Sequence, residues 1–280
     1  MCGRYAATAN PEELVEAYEV ELDASHERSR SLLKSPQEPP AGTPDHNMAP
    51  TKQAPVVLTR PARGEGEEPG DPVRQLRLLT WGLVPSWAKE PSVGSRMTNA
   101  RSETLFDKPA FAPAAARRRC LVPITGWYEW QPSPVALDAK GKPRKQPFFI
   151  TRQDQKPLAL AGLYEFWKDP SAAPNDPLAW VVSYAILTQA AEPGLDRIHD
   201  RQPVALEREH WADWLAPDVT DQHEVTDLIT ATQLPGRFEA WAVSRTVNSS
   251  RSNGPGLLEP LGPEEIVGAV DLDTGEVVGG

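Results

Sequence analysis

Cysteine is scarce in this chain. Cys2 and Cys120 are the only two in 280 residues. Two thiols cannot form a disulfide framework, so the chain reads as one made for a reducing compartment. Apolar runs are short, and none reaches membrane-spanning length. The residues after Tyr5 lack the apolar core of a secretory signal, since Ala7-Thr8-Ala9 runs straight into Asn10-Pro11-Glu12-Glu13. A soluble, cytoplasmic protein with no membrane contact is the expectation. Positive charge is also in deficit, with 29 Lys and Arg against 39 Asp and Glu, a net charge of −10. That argues against a generic nucleic-acid binder but leaves room for a local basic groove. The five histidines (His26, His46, His199, His210, His223) show no metal-ligand spacing, and neither cysteine has a zinc-type partner nearby. No phosphate-binding loop, dinucleotide fingerprint or Gly-x-Ser-x-Gly elbow occurs. No metal and no cofactor are expected.

What is present is a series of short apolar runs broken by Pro, Gly and polar stretches. Asn10-Pro11-Glu12-Glu13 opens a helix to about residue 20, with Asn as cap and carboxylates at the positive end of the dipole. Residues 21–46 lack periodicity and read as an insertion. Runs 54–59 and 76–81 form a hairpin around a second polar insertion, 60–72. Residues 99–104 read as a loop or short helix and 109–118 as a helix. Strands follow at 120–124, 126–130, 147–151, 158–167 and 180–188, with a polar loop over 131–146. Two helices (207–215, 225–232) precede a last strand at 238–244. Motif-bearing residues lie on both sides of every candidate linker. The expectation is therefore one domain over 1–262 with an acidic, Gly-rich tail at 263–280.

The stretch with most chemistry is Met1-Cys2-Gly3-Arg4-Tyr5. Cys2 is small enough to let a methionine aminopeptidase remove Met1. The new terminus would carry an amine of pKa about 7.7–8.0 beside a thiol of about 8.5. An amine condenses with an aldehyde to a Schiff base, and the adjacent thiol can close on the imine carbon to give a thiazolidine. An incidental cysteine at a frayed end is the alternative. Glu129 sits within an apolar strand between Tyr128 and Trp130. It is either a residue on a wet face or a general acid–base with a raised pKa. His199, in Ile198-His199-Asp200-Arg201, is either a solvated loop residue or a proton shuttle. Asn99 could orient a hydroxyl and Arg101 could grip a phosphate; Thr188 at a strand end is equally open. Among nine tryptophans, Trp81, Trp180 and Trp241 are expected in the core. Trp87 and Trp130 adjoin polar motif residues and could stack on bases. Arg4, Arg101, Arg201, Arg245 and Arg251 could track a phosphate backbone.

Eight motifs in order give these separate signals a common sense. They are Met1–Tyr5, Asn47-Met48-Ala49-Pro50-Thr51, Trp81-Gly82-Leu83-Val84-Pro85-Ser86-Trp87, Asn99-Ala100-Arg101-Ser102-Glu103-Thr104, Gly126-Trp127-Tyr128-Glu129-Trp130, Gln146-Pro147-Phe148-Phe149-Ile150, Ala185-Ile186-Leu187-Thr188 and Ile198-His199-Asp200-Arg201. Together they resemble the SRAP family, abasic-site processing proteins once named SOS response-associated peptidases. The resemblance implies a single compact α+β domain, with a central barrel-like antiparallel sheet and peripheral helices. It implies that Cys2 crosslinks to abasic sites in single-stranded DNA, with Glu129, Asn99, His199 and Thr188 as the other catalytic residues. Arg4, Arg101 and Arg201 would contact DNA, and Pro50, Trp87 and Trp130 would line its groove. Lyase and self-processing activity, replication machinery as a partner, a monomeric state and association with the nucleoid when DNA-bound go with the same resemblance. An N-terminal-nucleophile peptidase or amidase, and a non-catalytic single-strand binding module, are the rival readings. Gln202, the two insertions and the stretched spacing from Trp87 to Asn99 depart from the family pattern.

Overall fold

Among the described residues, sixteen strands form two sheets and a small terminal hairpin. A computed structural model describes residues 2–27, 29–62, 70–173, 175–176, 178–232 and 234–278. In chain order the strands are β1 (Tyr5–Ala7), β2 (Leu22–Asp23), β3 (Asp45–Met48), β4 (Gln53–Pro61), β5 (Pro72–Trp81), β6 (Asn99–Arg101), β7 (Arg119–Ile124) and β8 (Gly126–Leu137). They continue as β9 (Pro143–Arg152), β10 (Leu158–Lys168), β11 (Trp180–Ala190), β12 (Arg201–Pro203), β13 (Ala205–Leu206), β14 (Phe238–Ala242), β15 (Ala269–Val270) and β16 (Val277–Val278). The helices are α1 (Pro11–Ala17), α2 (Ala112–Arg117), α3 (Trp211–Leu215) and α4 (Gln222–Ala231).

Strands β5, β4, β7, β10 and β11 pair in turn, and β11 returns to β5 through Ser183↔Thr80 and Tyr184↔Trp81. The ring is thus closed. Its staves are antiparallel apart from that parallel closing pair. The second sheet runs β14-β9-β8-β1-β3. Period-two alternation sorts each stave's residues between two cores. Val56, Val122, Leu160 and Ile186 share a core with Cys2 and with Tyr5, Trp127 and Ile150 of the second sheet. Their neighbours Val57, Leu121, Ala161 and Leu187 face outward, under α1, α3 and α4, with Leu14, Trp214 and Ile229. Burial on both faces is why these strands read as unbroken apolar runs.

Two close-packed glycines shape the exit from β5. Gly82 has φ +122°, and a Cβ there would lie 2.5 Å from the Gly94 carbonyl oxygen. A Cβ on Gly94 would meet the Gly82 oxygen at the same distance. Only this pair lets the chain after Trp81 fold under the 3₁₀ turn Pro91–Arg96, which delivers Asn99 onto the end of β11.

Several expectations change. Residues 99–101 form a strand, parallel to β11. The polar loop expected at 131–146 is mostly a hairpin, because β8 runs on to Leu137 and pairs Leu137↔Pro143 with β9. The tip of the β4–β5 hairpin, 63–69, lies outside the described residues. The residues expected as a tail at 263–280 include the hairpin β15–β16, with Ala269 only 3 % exposed. Trp180 is 47 % exposed rather than core. It opens β11 at the sheet's end, opposite Lys168, whose Nζ lies 5.7 Å from its ring.

Candidate active-site cleft

The chain start is fastened on three sides. Tyr5 pairs with both Met48 and Trp127, and the Tyr128 N–H donates to the Arg4 carbonyl at 2.9 Å. The Arg4 guanidinium donates to Asn47 Oδ1 at 2.7 Å and to the Val247 carbonyl at 3.1 Å. Asn47 in turn donates to the carbonyls of Val247, Ser249 and Ser252. Cys2 is fully buried. Its carbonyl accepts from Asn99 Nδ2 at 2.8 Å, and its Sγ points to the Arg4 carbonyl at 3.9 Å. The other Asn99 atom, Oδ1, is buried with no hydrogen-bond partner among the described residues. It is an acceptor waiting for a donor.

Glu129 lies on the same β8 face as Trp127 and is 3 % exposed. Burial pushes its carboxyl up to about 7, against the pull of the positive charge at the chain terminus. It therefore exchanges a proton near neutrality. Burial likewise drives the Cys2 thiol well above its ordinary range, and the Glu129 charge adds to that rise. The thiol is thus held protonated at neutral pH.

His199 closes the turn that starts at Leu195, its N–H donating to the Leu195 carbonyl at 3.1 Å. Its imidazole pKa is lowered, first by burial, then by the charges of the chain terminus and Lys145, with Asp200 opposing. The neutral ring accepts the Arg201 N–H at Nδ1, at 3.0 Å, which leaves the proton on Nε2. The Asp200 carboxylate stands 2.9 Å from the same Nδ1 and becomes its partner once the ring is protonated.

Glu129 and His199 open into one cleft of about 660 Å³. Trp130, Lys142, Lys145, Arg245 and Asn248 also line it. Trp130 Nε1 donates to Asn248 Oδ1 at 2.7 Å, which sets the indole plane at the rim. Lys142 and Lys145 were not among the sequence candidates, although the basic run Lys140-Gly141-Lys142-Pro143-Arg144-Lys145 marks them.

The remaining candidates fall in different places. Thr188 is fully buried, and its carbonyl accepts from Arg201 Nη2 at 2.7 Å. Arg201 also grips the Glu103 carboxylate through two bonds, 2.5 and 2.8 Å. Arg4 and Arg201 are therefore engaged within the protein, whereas Arg101 is exposed at the end of β6. Pro50 is half-buried beside Thr51, a non-glycine residue with φ +74°. Trp87 is 63 % exposed on a turn closed by Ala88 N–H to the Pro85 carbonyl. That turn is tethered by Trp167 Nε1 to the Ala88 carbonyl at 2.6 Å. Trp167 pairs with Val181, and about 23 Å of strand separates Val181 from Thr188. Trp87 is not among the residues that line the cleft. Gln202, a departure from the family pattern, is 2 % exposed and takes the Glu192 N–H at 2.8 Å.

A closed five-stave β-ring backed by a second sheet, with the chain's first cysteine buried between them, defines the class. The model of the SOS response associated peptidase (SRAP) family matches residues 1–250, and the chain belongs to that family. Abasic site processing protein YoqW of Bacillus subtilis is 32% identical over 261 residues, covering 92% of this chain and 99% of that one. Abasic site processing protein HMCES of Pongo abelii is 29% identical, over 93% of this chain and 76% of its own length. A solved protein from Bacteroides thetaiotaomicron shares the fold with a TM-score of 0.68 at 21% identity, covering 93% of this chain and all of its own.

Proposed function

We propose that this protein captures abasic sites in single-stranded DNA and links to them covalently through Cys2. One observation carries the reading. A buried cysteine at the chain start lies close enough to Glu129 for that charge to raise its thiol, and Glu129, poised near pH 7, lines one cleft with the His199 imidazole. The names of the relatives support the lesion as substrate.

The chemistry starts once Met1 is removed. His199 moves the proton that opens the sugar hemiacetal to its aldehyde. Glu129 takes a proton from the Cys2 amine, which attacks the aldehyde carbon. The carbinolamine loses water, with Glu129 returning the proton, and leaves an imine. The Cys2 S–H then adds across the C=N bond: sulfur bonds to carbon and the proton goes to nitrogen. One water is released overall. A thiol held protonated favours this order, amine first and sulfur second. Asn99 Oδ1 accepts from the amine or a sugar hydroxyl. Where ring closure lags, the imine eliminates the 3′ phosphate, which is lyase activity. Lys142, Lys145, Arg245 and Arg101 supply the positive field that the net charge of −10 conceals, because charges beyond a Debye length of about 8 Å are screened. On this reading the protein works as a monomer in the cytoplasm, on the nucleoid when DNA-bound, with the replication machinery as a partner.

Denaturing electrophoresis after incubation with an abasic single-stranded oligonucleotide tests the proposal. The expected result is a shifted band with the native chain and none with Cys2→Ala. Peptide cleavage without a shifted band would favour an N-terminal-nucleophile peptidase. DNA binding that vanishes on denaturation would favour a plain binding module.

A further inference from the structure

The His199 turn is fastened at two levels. At its base the Ala191 N–H donates to the Asp200 carbonyl at 3.0 Å, within the β11–β12 connection. Its crown, the 3₁₀ turn Leu195–Arg197, is held from outside. Gln131 stands on β8 two residues beyond Glu129, so the two side chains share a face. It is 1 % exposed. Its amide nitrogen donates to the Arg197 carbonyl at 3.1 Å and to the Val270 carbonyl at 3.0 Å. Its oxygen accepts the Val270 N–H at 2.6 Å. The Arg197 guanidinium reaches the Leu272 carbonyl. One buried amide thus joins the strand that carries Glu129, the turn that carries His199 and the C-terminal hairpin. That hairpin lies beyond residue 250, where the family match ends.

The hairpin has its own close fit. Gly268 has φ +67°, and a Cβ there would lie 2.5 Å from Ser133 Oγ. Only glycine both adopts that backbone and lets the hairpin sit on β8.

We infer that the C-terminal hairpin is a clamp that holds His199 in working position, with Gln131 and Arg197 as positioning residues. The inference rests on the proposed function, since it assigns the clamp to that site's proton carrier. Besides the clamp, Lys145 on β9, Asp200 and the chain terminus act on the His199 ring, and Glu129 on β8, Asp138 just past its end, Lys142 and Arg245 line the same cleft.

The test uses the full chain with Gly268→Val, which blocks docking, and Gln131→Met, which removes the three amide bonds while keeping bulk. Three quantities are read: the rate of adduct formation, affinity for undamaged single strand, and the His199 titration by NMR, assigned with His199→Ala. Both variants should form adducts at least tenfold more slowly and bind undamaged strand within twofold of the native chain. The His199 midpoint should move toward the ordinary histidine value. Added to His199→Ala, either variant should cause no further loss of rate. An undiminished rate would overturn the clamp, as would an equal loss in the His199→Ala background. If the native chain forms no adduct, the proposed function fails, and the titration alone decides the clamp: an unmoved midpoint in Gln131→Met refutes it.

Discussion

Glu129→Gln should make the protein more stable while making it a poor catalyst. The structure sets the size of the gain. Burial moves the Glu129 carboxyl from its ordinary 4.5 to about 7. At about 1.4 kcal/mol per pKa unit, that difference is worth roughly 3 kcal/mol. The sign follows from proton binding. Between pH 4.5 and 7 the folded chain keeps a proton that the unfolded chain releases. Stability contributed by this group therefore falls as pH rises through that window and levels off above it. Glutamine has no proton to lose and escapes the penalty. Urea unfolding of both proteins at pH 5 and pH 8 measures it, since titrating groups not coupled to Glu129 cancel in the comparison. The advantage of Glu129→Gln over the native chain should grow by about 2–3 kcal/mol between the two pH values. Its adduct formation should be slower by about 10²–10⁴-fold with DNA affinity retained. An advantage that does not change with pH would mean that Glu129 is not desolvated as described, and its role as the proton carrier would go with it.

Two further outcomes are expected. Asn47→Ala removes the acceptor of the Arg4 guanidinium and the donor to three carbonyls. Urea unfolding should show a loss of about 3 kcal/mol, and a loss under about 1 kcal/mol would refute a clamp at the chain start. Arg101→Ala and Lys145→Ala should each flatten the dependence of log affinity on log salt for single-stranded DNA by about 0.7; an unchanged slope in filter-binding titrations would remove that residue from the path of the strand.

The ring was legible because its staves are apolar on both faces, so Leu121-Val122 and Ala185-Ile186-Leu187 could only be buried strands. The outer arm of β8 and β9 was not legible. Pro132 and Pro134 argue against a strand, yet they sit where the arm is a two-stranded ribbon and proline's missing N–H costs little. The terminal hairpin escaped because each of its strands has two residues, too few for any periodicity. At the site, Cys2, Asn99, Glu129 and His199 carried their own chemical signal and their motif. The arginines did not, for a reason of geometry: sequence cannot separate a free guanidinium from one that holds Glu103, as Arg201 does, or Asn47, as Arg4 does. Lys142 and Lys145 went unnoticed because a basic run reads as solvated loop until the hairpin bends it over the cleft.

Cys2 is made well before the residues that enclose it, Asn99, Glu129 and Ile186, and the closing pair Tyr184↔Trp81 comes later still than the first two. At about 5–20 residues per second, the nascent thiol and its backbone stay bare for some 10–40 s before their housing can assemble. Trimming or oxidation of that end meets the least protection in this interval; afterwards the thiol can be approached only by way of the cleft that Glu129 lines.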